Sequence, residues 1–236
     1  MKKQAFVFDV DGTVTESRCE IKDSHIPLWK HLCITSSVYI VTGSDRDKTN
    51  EQMKGLQDLA LGVYQCGGNS YWQNGKLLHE TPFILDIDMH QFLKDTLKGA
   101  EYPRKTGVHI EERRGMVNFS ILGRNATAAE RLQYKKYDQK ELERDKISKT
   151  FNALFPRYES YVAGDTGIDI FMKNKHKGQV YKNLTPHYSI TYFGDKFMPG
   201  GNDYPFVQNM KVDDTLHGVS SPDETFEIVE KYLESL

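Results

Sequence analysis

The sequence predicts an α/β protein whose parallel sheet is interrupted by an inserted α+β segment. Three observations predict it. Short continuous apolar runs, each stopped by small polar or acidic residues, recur near both ends of the chain, as strands buried on both faces of a parallel sheet require. Helical stretches alternate with those runs. The middle of the chain reads differently, with helices grouped against strands that suit antiparallel pairing. The 236 residues allow one large domain or two modest ones, and the expected division is 1–81 with 177–236 for the sheet unit and 82–176 for the insert.

In order, Ala5 to Phe8 is an apolar run ended by Asp9, and Val38 to Val41 repeats the pattern before Thr42-Gly43-Ser44. Asp45 to Leu59 reads as a polar helix, and Val63 to Tyr64 as another short strand. Asn74-Gly75 between Tyr71-Trp72 and Leu77-Leu78 signals a hairpin, because the favoured two-residue turn needs left-handed backbone that Asn and Gly adopt readily. In the insert, Asp86 to Leu97 and Gln139 to Leu154 are expected to be helices. Val108 to Ile110, Met116 to Leu122, Tyr158 to Val162 and Ile168 to Met172 are expected strands. Ile190 to Phe193 is an apolar run stopped by Gly194-Asp195, and Leu216 to Val219 is a weaker one. The last helix opens at Ser221, with Pro222 at its first position and Glu224 completing a capping box.

Hydrophobic residues at 38% and charged residues at 27% supply a core and exclude a disordered chain. Lys plus Arg number 31 against 33 acidic residues, a net charge of −2, so no global field recruits nucleic acid and anion recognition must be local. Arginines crowd the middle of the chain at Arg104, Arg113, Arg114, Arg124, Arg131 and Arg144, which suggests an anion pocket there. Cys19, Cys33 and Cys66 are odd in number and form no C-x-x-C pair, which fits reduced thiols in the cytoplasm. The N-terminal apolar run is too short for a signal-peptide core or a membrane span.

Asp9-Val10-Asp11-Gly12-Thr13 follows a buried strand directly, at the edge where open α/β sheets place their ligands. Taken alone it also suits an ordinary polar turn. Two carboxylates two residues apart repel unless a cation or a shared proton relieves them, so Mg²⁺ is the natural partner. Gly194-Asp195-Lys196, followed by Pro199 to Asp203, begins at the end of another strand and delivers a further carboxylate to that edge.

FDVDGTVTESR, VTGSD, the lysine of KHKGQVY and GDKFMPGGND occur in the order of the four signatures of the haloacid dehalogenase-like phosphotransferases, and the chain resembles the eukaryotic-type phosphomannomutase family more closely still. RRGMVNFSILGRNATAAER, KYDQKELERDKISKTFNALFP and GIDIF resemble that family's sugar-phosphate-binding cap, so the likeness spans nearly the whole chain. The resemblance implies a Rossmann-like core with an inserted α+β cap. It also implies Asp9 as covalent nucleophile and Asp11 as general acid and base. Mg²⁺ would be held by Asp9, the Asp11 main-chain oxygen and Asp195. Lys177, with Ser44 or Thr42, would stabilise the transferring oxygens, though taken singly Lys177 reads more readily as an ordinary solvated lysine and Thr42 as a plain turn residue. Arg18, Arg113, Arg124 and Arg131 match phosphate-binding arginines, and Asp169 matches a sugar-hydroxyl acceptor. Whether Arg113 or its neighbour Arg114 faces the pocket stays open.

The family's usual serine two residues before Asp169 is Gly167 here, its tryptophan before the lysine is missing, and an acidic residue after the last metal loop is replaced by Asn209. Three activities follow as expectations. The first is a mutase converting mannose 6-phosphate and mannose 1-phosphate through hexose 1,6-bisphosphate, feeding GDP-mannose synthesis and dimeric through its cap. The second is a sugar-phosphate phosphatase of the same superfamily. The third is a catalytically silent binding or dimerisation module.

Overall fold

The computed structural model describes residues 2–235. Its larger sheet runs β11-β10-β1-β2-β3-β4-β5. The strands are β1 (Lys3–Phe8), β2 (Ser37–Val41), β3 (Gly62–Gln65), β4 (Ser70–Gln73), β5 (Lys76–Glu80), β10 (Tyr188–Gly194) and β11 (Thr215–Gly218). β11, β10, β1, β2 and β3 are parallel, and the β4–β5 hairpin extends the sheet antiparallel. Side chains alternate between faces along a strand, so the unbroken apolar runs fill two separate cores. Phe6, Phe8, Val38 and Ile40 pack against Trp29, Leu32, Phe226 and Val229 of the helices α1 (Ile26–Thr35) and α8 (Pro222–Glu234). Ala5, Val7, Tyr39 and Val41 pack on the other face against α6 (Gly178–Leu184) and the short α7 (Tyr204–Val207). Asn74 and Gly75 both take left-handed backbone, with φ of 51° and 72°, as the hairpin signal requires.

The polar stretch after β2 is shorter than expected. Its helix α2 (Arg46–Met53) is capped by Asp45, ends at the left-handed Lys54, and is followed by a separate 3₁₀ turn at Leu56–Leu59. At α8, Ser221 accepts from the Glu224 N–H as predicted. The Glu224 carboxylate, however, accepts from the Ser220 N–H at 2.8 Å, one residue earlier than a full capping box would have it.

The smaller sheet is antiparallel and runs β6 (Ile110–Arg113), β7 (Met116–Phe119), β9 (Gly167–Met172), β8 (Tyr158–Ala163). Val117, Phe119, Ile168 and Ile170 bury one face against Met89 and Leu93 of α3 (Ile87–Gly99), Tyr134 of α4 (Ala128–Glu141) and Phe151 of α5 (Glu143–Leu154). The alternate residues Met116, Asn118, Asp169 and Phe171 therefore face the larger sheet. Met116 and Phe171 meet Cys66 there and seal the two units together.

The single helix expected over 139–154 is instead α4 and α5, broken at Leu142, whose φ is 55°. Asp138 compensates the break, accepting from the Arg144 main-chain N–H and from its Nε, both at 2.8 Å. α4 was not foreseen because it buries only Tyr134 and Asp138, too few residues to print an apolar period. Its sequence signal is the Thr127-to-Glu130 capping box, present in full. Thr127→Ala should cost ~1 kcal/mol. For a chain this long that is a Tm about 2–4 °C lower by calorimetry; an unchanged Tm would mean the cap adds nothing to global stability.

Candidate active site

The carboxyl ends of β1, β2 and β10 converge, bringing together the residues that follow each strand. Asp9 directly follows β1 and is nearly fully buried. Lys177, just before α6, is 1% exposed and reaches Asp9 Oδ1 at 2.7 Å and Asp203 Oδ1 at 2.6 Å. Asp203 Oδ1 also accepts from the Tyr192 hydroxyl at 2.5 Å, and Oδ2 from the Lys196 N–H at 3.0 Å. Asp195 receives Lys196 Nζ at 2.6 Å. Burial pushes the Asp9 carboxyl well above its ordinary range despite Lys177, and pushes Asp195 up to about 6 against the pull of Lys196. Lys177 goes the opposite way from a solitary buried amine: Asp203 and Asp9 outweigh its desolvation and hold the ammonium charged.

Asp11 sits in a different field. Its Oδ1 accepts from the Arg18 N–H at 3.1 Å and Gln52 Nε2 at 3.0 Å, and its Oδ2 from Ser44 Oγ at 3.2 Å and Lys48 Nζ at 3.1 Å. Burial alone would raise this carboxyl, but Lys48 and the hydrogen-bond donors overcome it and keep Asp11 ionised. Ser44 thus touches Asp11, whereas Thr42 Oγ1 accepts from the Ser44 N–H at 3.1 Å and shapes the turn.

The cap arginines close over this edge. Arg113 is the buried member of its pair and donates through Nη1 to the Gly43 carbonyl at 2.9 Å, while Arg114 turns outward to Glu80. Arg18 Nη1 donates to the Arg124 carbonyl at 3.3 Å, and Arg131 Nη2 to the Ser17 carbonyl at 3.2 Å. Arg124 reaches Asn118 Oδ1 at 3.3 Å, and Asn118 Nδ2 donates to Asp169 Oδ1 at 2.7 Å. Arg18, Arg113, Arg124, Arg131, Asn118 and Asp169 line one cavity between the units, with Asp9, Asp11 and Lys48 on its floor. Burial and the neighbouring Arg124 and Arg131 bring Arg18 down to about 10, and burial also lowers Lys48, with Arg113 and Arg124 adding to it. Such crowding of cations marks a place for an anion.

A divalent cation suits the donor set. Carboxylate oxygens of Asp9, Asp195 and Asp203 lie within 4.8 Å of one another. Asp203 already accepts from Lys177, Tyr192 and the Lys196 N–H, so Asp9 and Asp195 are the carboxylates freer to take a hard ion. A Cβ on Gly12 would stand 2.6 Å from Asp195 Oδ2, so only glycine lets Asp195 approach the Asp9–Gly12 loop. Sequence reasoning assigned no role to Asp203, Lys48, Gln52, Asn118 or Asn202. Asp203 and Asn202 had a signal, their place in GDKFMPGGND, and Asn118 lies within RRGMVNFSILGRNATAAER.

A parallel sheet with paired aspartates at its carboxyl edge, a buried lysine and an inserted cap defines a phosphotransferase of the haloacid dehalogenase-like fold. The solved C-terminal domain of trehalose-6-phosphate phosphatase from C. albicans shares that fold, with a TM-score of 0.69 at 15% identity over 99% of this chain and 92% of that one. The chain belongs to the eukaryotic phosphomannomutase family, whose model matches residues 28–235. It is 30% identical to the phosphomannomutase of Encephalitozoon cuniculi (strain GB-M1), covering 100% of this chain and 95% of that protein. It is 32% identical to the phosphomannomutase of Oryza sativa subsp. indica, covering 94% and 92%.

Proposed function

We propose that the protein is a phosphomannomutase that interconverts mannose 6-phosphate and mannose 1-phosphate through an aspartyl phosphate on Asp9 and a hexose 1,6-bisphosphate. The observation that carries this reading is the cage of Arg18, Arg113, Arg124 and Arg131 opposite Asp9. A mutase must hold one phosphate while the other reacts, and guanidinium forks grip phosphate oxygens in pairs.

The floor suits the steps. Phosphoryl transfer from the bisphosphate to the Asp9 carboxylate forms a P–O bond to Asp9 and breaks the one to the sugar oxygen, which takes back from Asp11 the proton that Asp11 gained from the attacking hydroxyl when the bisphosphate was formed. In the reverse sense Asp11, held ionised, accepts the proton of the attacking hydroxyl as the phosphoryl group leaves Asp9. Reorientation of the bisphosphate between the two steps exchanges its ends. Lys177 supplies positive charge beside the nucleophile, and Ser44 orients Asp11. Mg²⁺, held by Asp9, Asp195 and the Asp11 main-chain oxygen, would neutralise charge between nucleophile and phosphate. Arg18, Arg124 and Arg131 grip the distal phosphate, while Asp169 accepts a sugar hydroxyl. Units 1–81 with 177–236 and 82–176 act as core and cap, closing to exclude water from the aspartyl phosphate. The enzyme is a cytoplasmic homodimer supplying mannose 1-phosphate to GDP-mannose formation. Its free Cys19, Cys33 and Cys66 favour a reducing compartment, no helix among the described residues is long and apolar enough to cross a membrane, and exposed Ile84, Ile87 and Leu132 give the cap apolar surface for pairing.

A coupled assay with mannose and glucose monophosphates, Mg²⁺ and hexose 1,6-bisphosphate tests this. Isomer formation activated by bisphosphate is expected. Release of free sugar and inorganic phosphate alone would replace the mutase with a phosphatase. Arg124→Ala should raise KM for mannose 1-phosphate roughly 10- to 100-fold, the equivalent of one charge-assisted contact, and harm interconversion more than hydrolysis of p-nitrophenyl phosphate. Equal losses on both substrates would remove Arg124 from sugar-phosphate binding.

A further inference from the structure

Asn202 belongs to the loop joining β10 to α7, ahead of Asp203, and the fold pins that loop firmly. The Asp203 N–H donates to the Lys196 carbonyl at 3.1 Å, and the Gly201 N–H to the Met198 carbonyl at 2.9 Å. A cap strand also docks on it: the Val162 N–H of β8 donates to the Gly200 carbonyl at 2.9 Å, and Val162 and Gly201 form an isolated bridge. Asn202 therefore stands where core and cap touch. It is 7% exposed, lines the same cavity as Asp9 and Asp169, and its Oδ1 is buried without a hydrogen-bond partner among the described residues.

The opposite side of the gap belongs to Asp169. Asp169 Oδ1 is taken by Asn118, so Oδ2 is the oxygen left to a ligand. A Cβ at Gly43 would stand 2.4 Å from Asp169 Oδ2 and 3.8 Å from Asn202 Nδ2. Glycine at 43 thus keeps open a notch that the two side chains straddle, one from the cap and one from the core, without bonding to each other. The notch suits a small group that can donate to a carboxylate and accept from an amide, which is what a hydroxyl does.

We infer that Asn202 is a specificity-determining residue that reads, together with Asp169, one hydroxyl of the hexose, so that the sugar itself bridges core and cap. This rests on the sugar-phosphate reading of the cavity. A site built to hydrogen-bond a hydroxyl discriminates against the analogue lacking it, because its own polar groups are then left unpaired. The ring hydroxyls at positions 2, 3 and 4 are the candidates, since the ends carry the phosphates.

The test is a cycle of two changes, Asn202→Ala in the enzyme and removal of one hydroxyl in the substrate, using mannose 1-phosphate and its 2-, 3- and 4-deoxy analogues with Mg²⁺ and bisphosphate present. Loss of one neutral hydrogen bond should lower kcat/KM for mannose 1-phosphate roughly 3- to 30-fold in Asn202→Ala. With one of the three analogues the variant and the native enzyme should then perform alike, because the partner of Asn202 is already gone. A loss of equal size on mannose 1-phosphate and on every analogue would overturn the inference and leave Asn202 a support for the Asp195–Asp203 loop. Should Asn202→Ala fold poorly, Asn202→Leu enters the same cycle; it keeps the volume while removing the amide without adding charge to an anion site, and the same pair of outcomes applies. Native enzyme that isomerises no hexose phosphate would defeat the function proposal itself. Native enzyme that does, with no analogue-dependent loss, defeats only the role of Asn202.

Discussion

Asp9→Asn removes phosphoryl transfer, roughly 10⁴-fold or more in kcat, while leaving Tm in metal-free buffer equal to or above that of the native protein. The first half follows from chemistry, since an amide cannot form the covalent phosphate and loss of a nucleophile takes most of the rate with it. The second half follows from electrostatics. Asp9, Asp195 and Asp203 are crowded together and, among the described residues, share only Lys177 and Lys196 as ion-pair partners. Burial and the two other aspartates raise the Asp9 carboxyl, so its charge is disfavoured in the folded protein. Asparagine keeps an oxygen for Lys177 and removes one of three repelling charges, and Lys177 keeps Asp203. Activity assay and calorimetry on one preparation check both halves. Retained turnover would point to a different nucleophile, and a lowered Tm would make the Asp9–Lys177 contact a net structural ion pair.

Much of this centre was readable because its residues are tied to strand ends. A buried parallel strand must stop in polar residues, so Asp9, Thr42 and Asp195 advertised their edge through the apolar runs before them. Lys48 and Gln52 advertised nothing. Lys48 and Gln52 lie on a polar helix whose mostly hydrophilic composition hides which side chains turn to Asp11, and that choice is made by α2 packing in space rather than by local pattern. The Arg113 or Arg114 question shows what lies between these cases. Alternation along a strand guarantees that neighbours point opposite ways but leaves the phase open. The phase is fixed by the pairing of Arg113 with Met116 and Glu111 with Asn118 across the Arg114-Gly115 turn, which puts Arg113 on the face that looks toward the core. The helix break at Leu142 was hidden for a further reason: a leucine in left-handed backbone is a poor local choice, tolerated because Arg144, paired with Asp138, also donates to the carbonyls of Ala163, Gly164 and Gly167. That is a tertiary gain no window of sequence contains.

Lys177→Ala should produce the largest loss of stability among these variants as well as loss of activity. Its ammonium is fully buried and is the cation in contact with both Asp9 and Asp203, so alanine leaves two carboxylates facing each other in a desolvated site with Asp195 beside them. Removing one partner of a buried ion pair typically costs about 3–5 kcal/mol, because the remaining charge keeps its desolvation penalty. For a chain of this length that corresponds to a Tm lower by on the order of 6–20 °C. Part of the Lys177→Ala loss would come from the lost packing of its side chain, and a second variant separates the two contributions. Lys177→Met restores apolar volume without charge, so it should remain destabilised, and combining it with Asp203→Asn should recover stability relative to Lys177→Met alone. The coupling arises because the amide removes the charge that the methionine left unpaired, while its one oxygen can still accept from the Lys196 N–H and its NH₂ can donate to the Tyr192 hydroxyl. Calorimetry on the two single variants and the double variant measures it. Strictly additive effects would show that Lys177 and Asp203 are not energetically linked, and that the lysine is retained for phosphoryl chemistry alone.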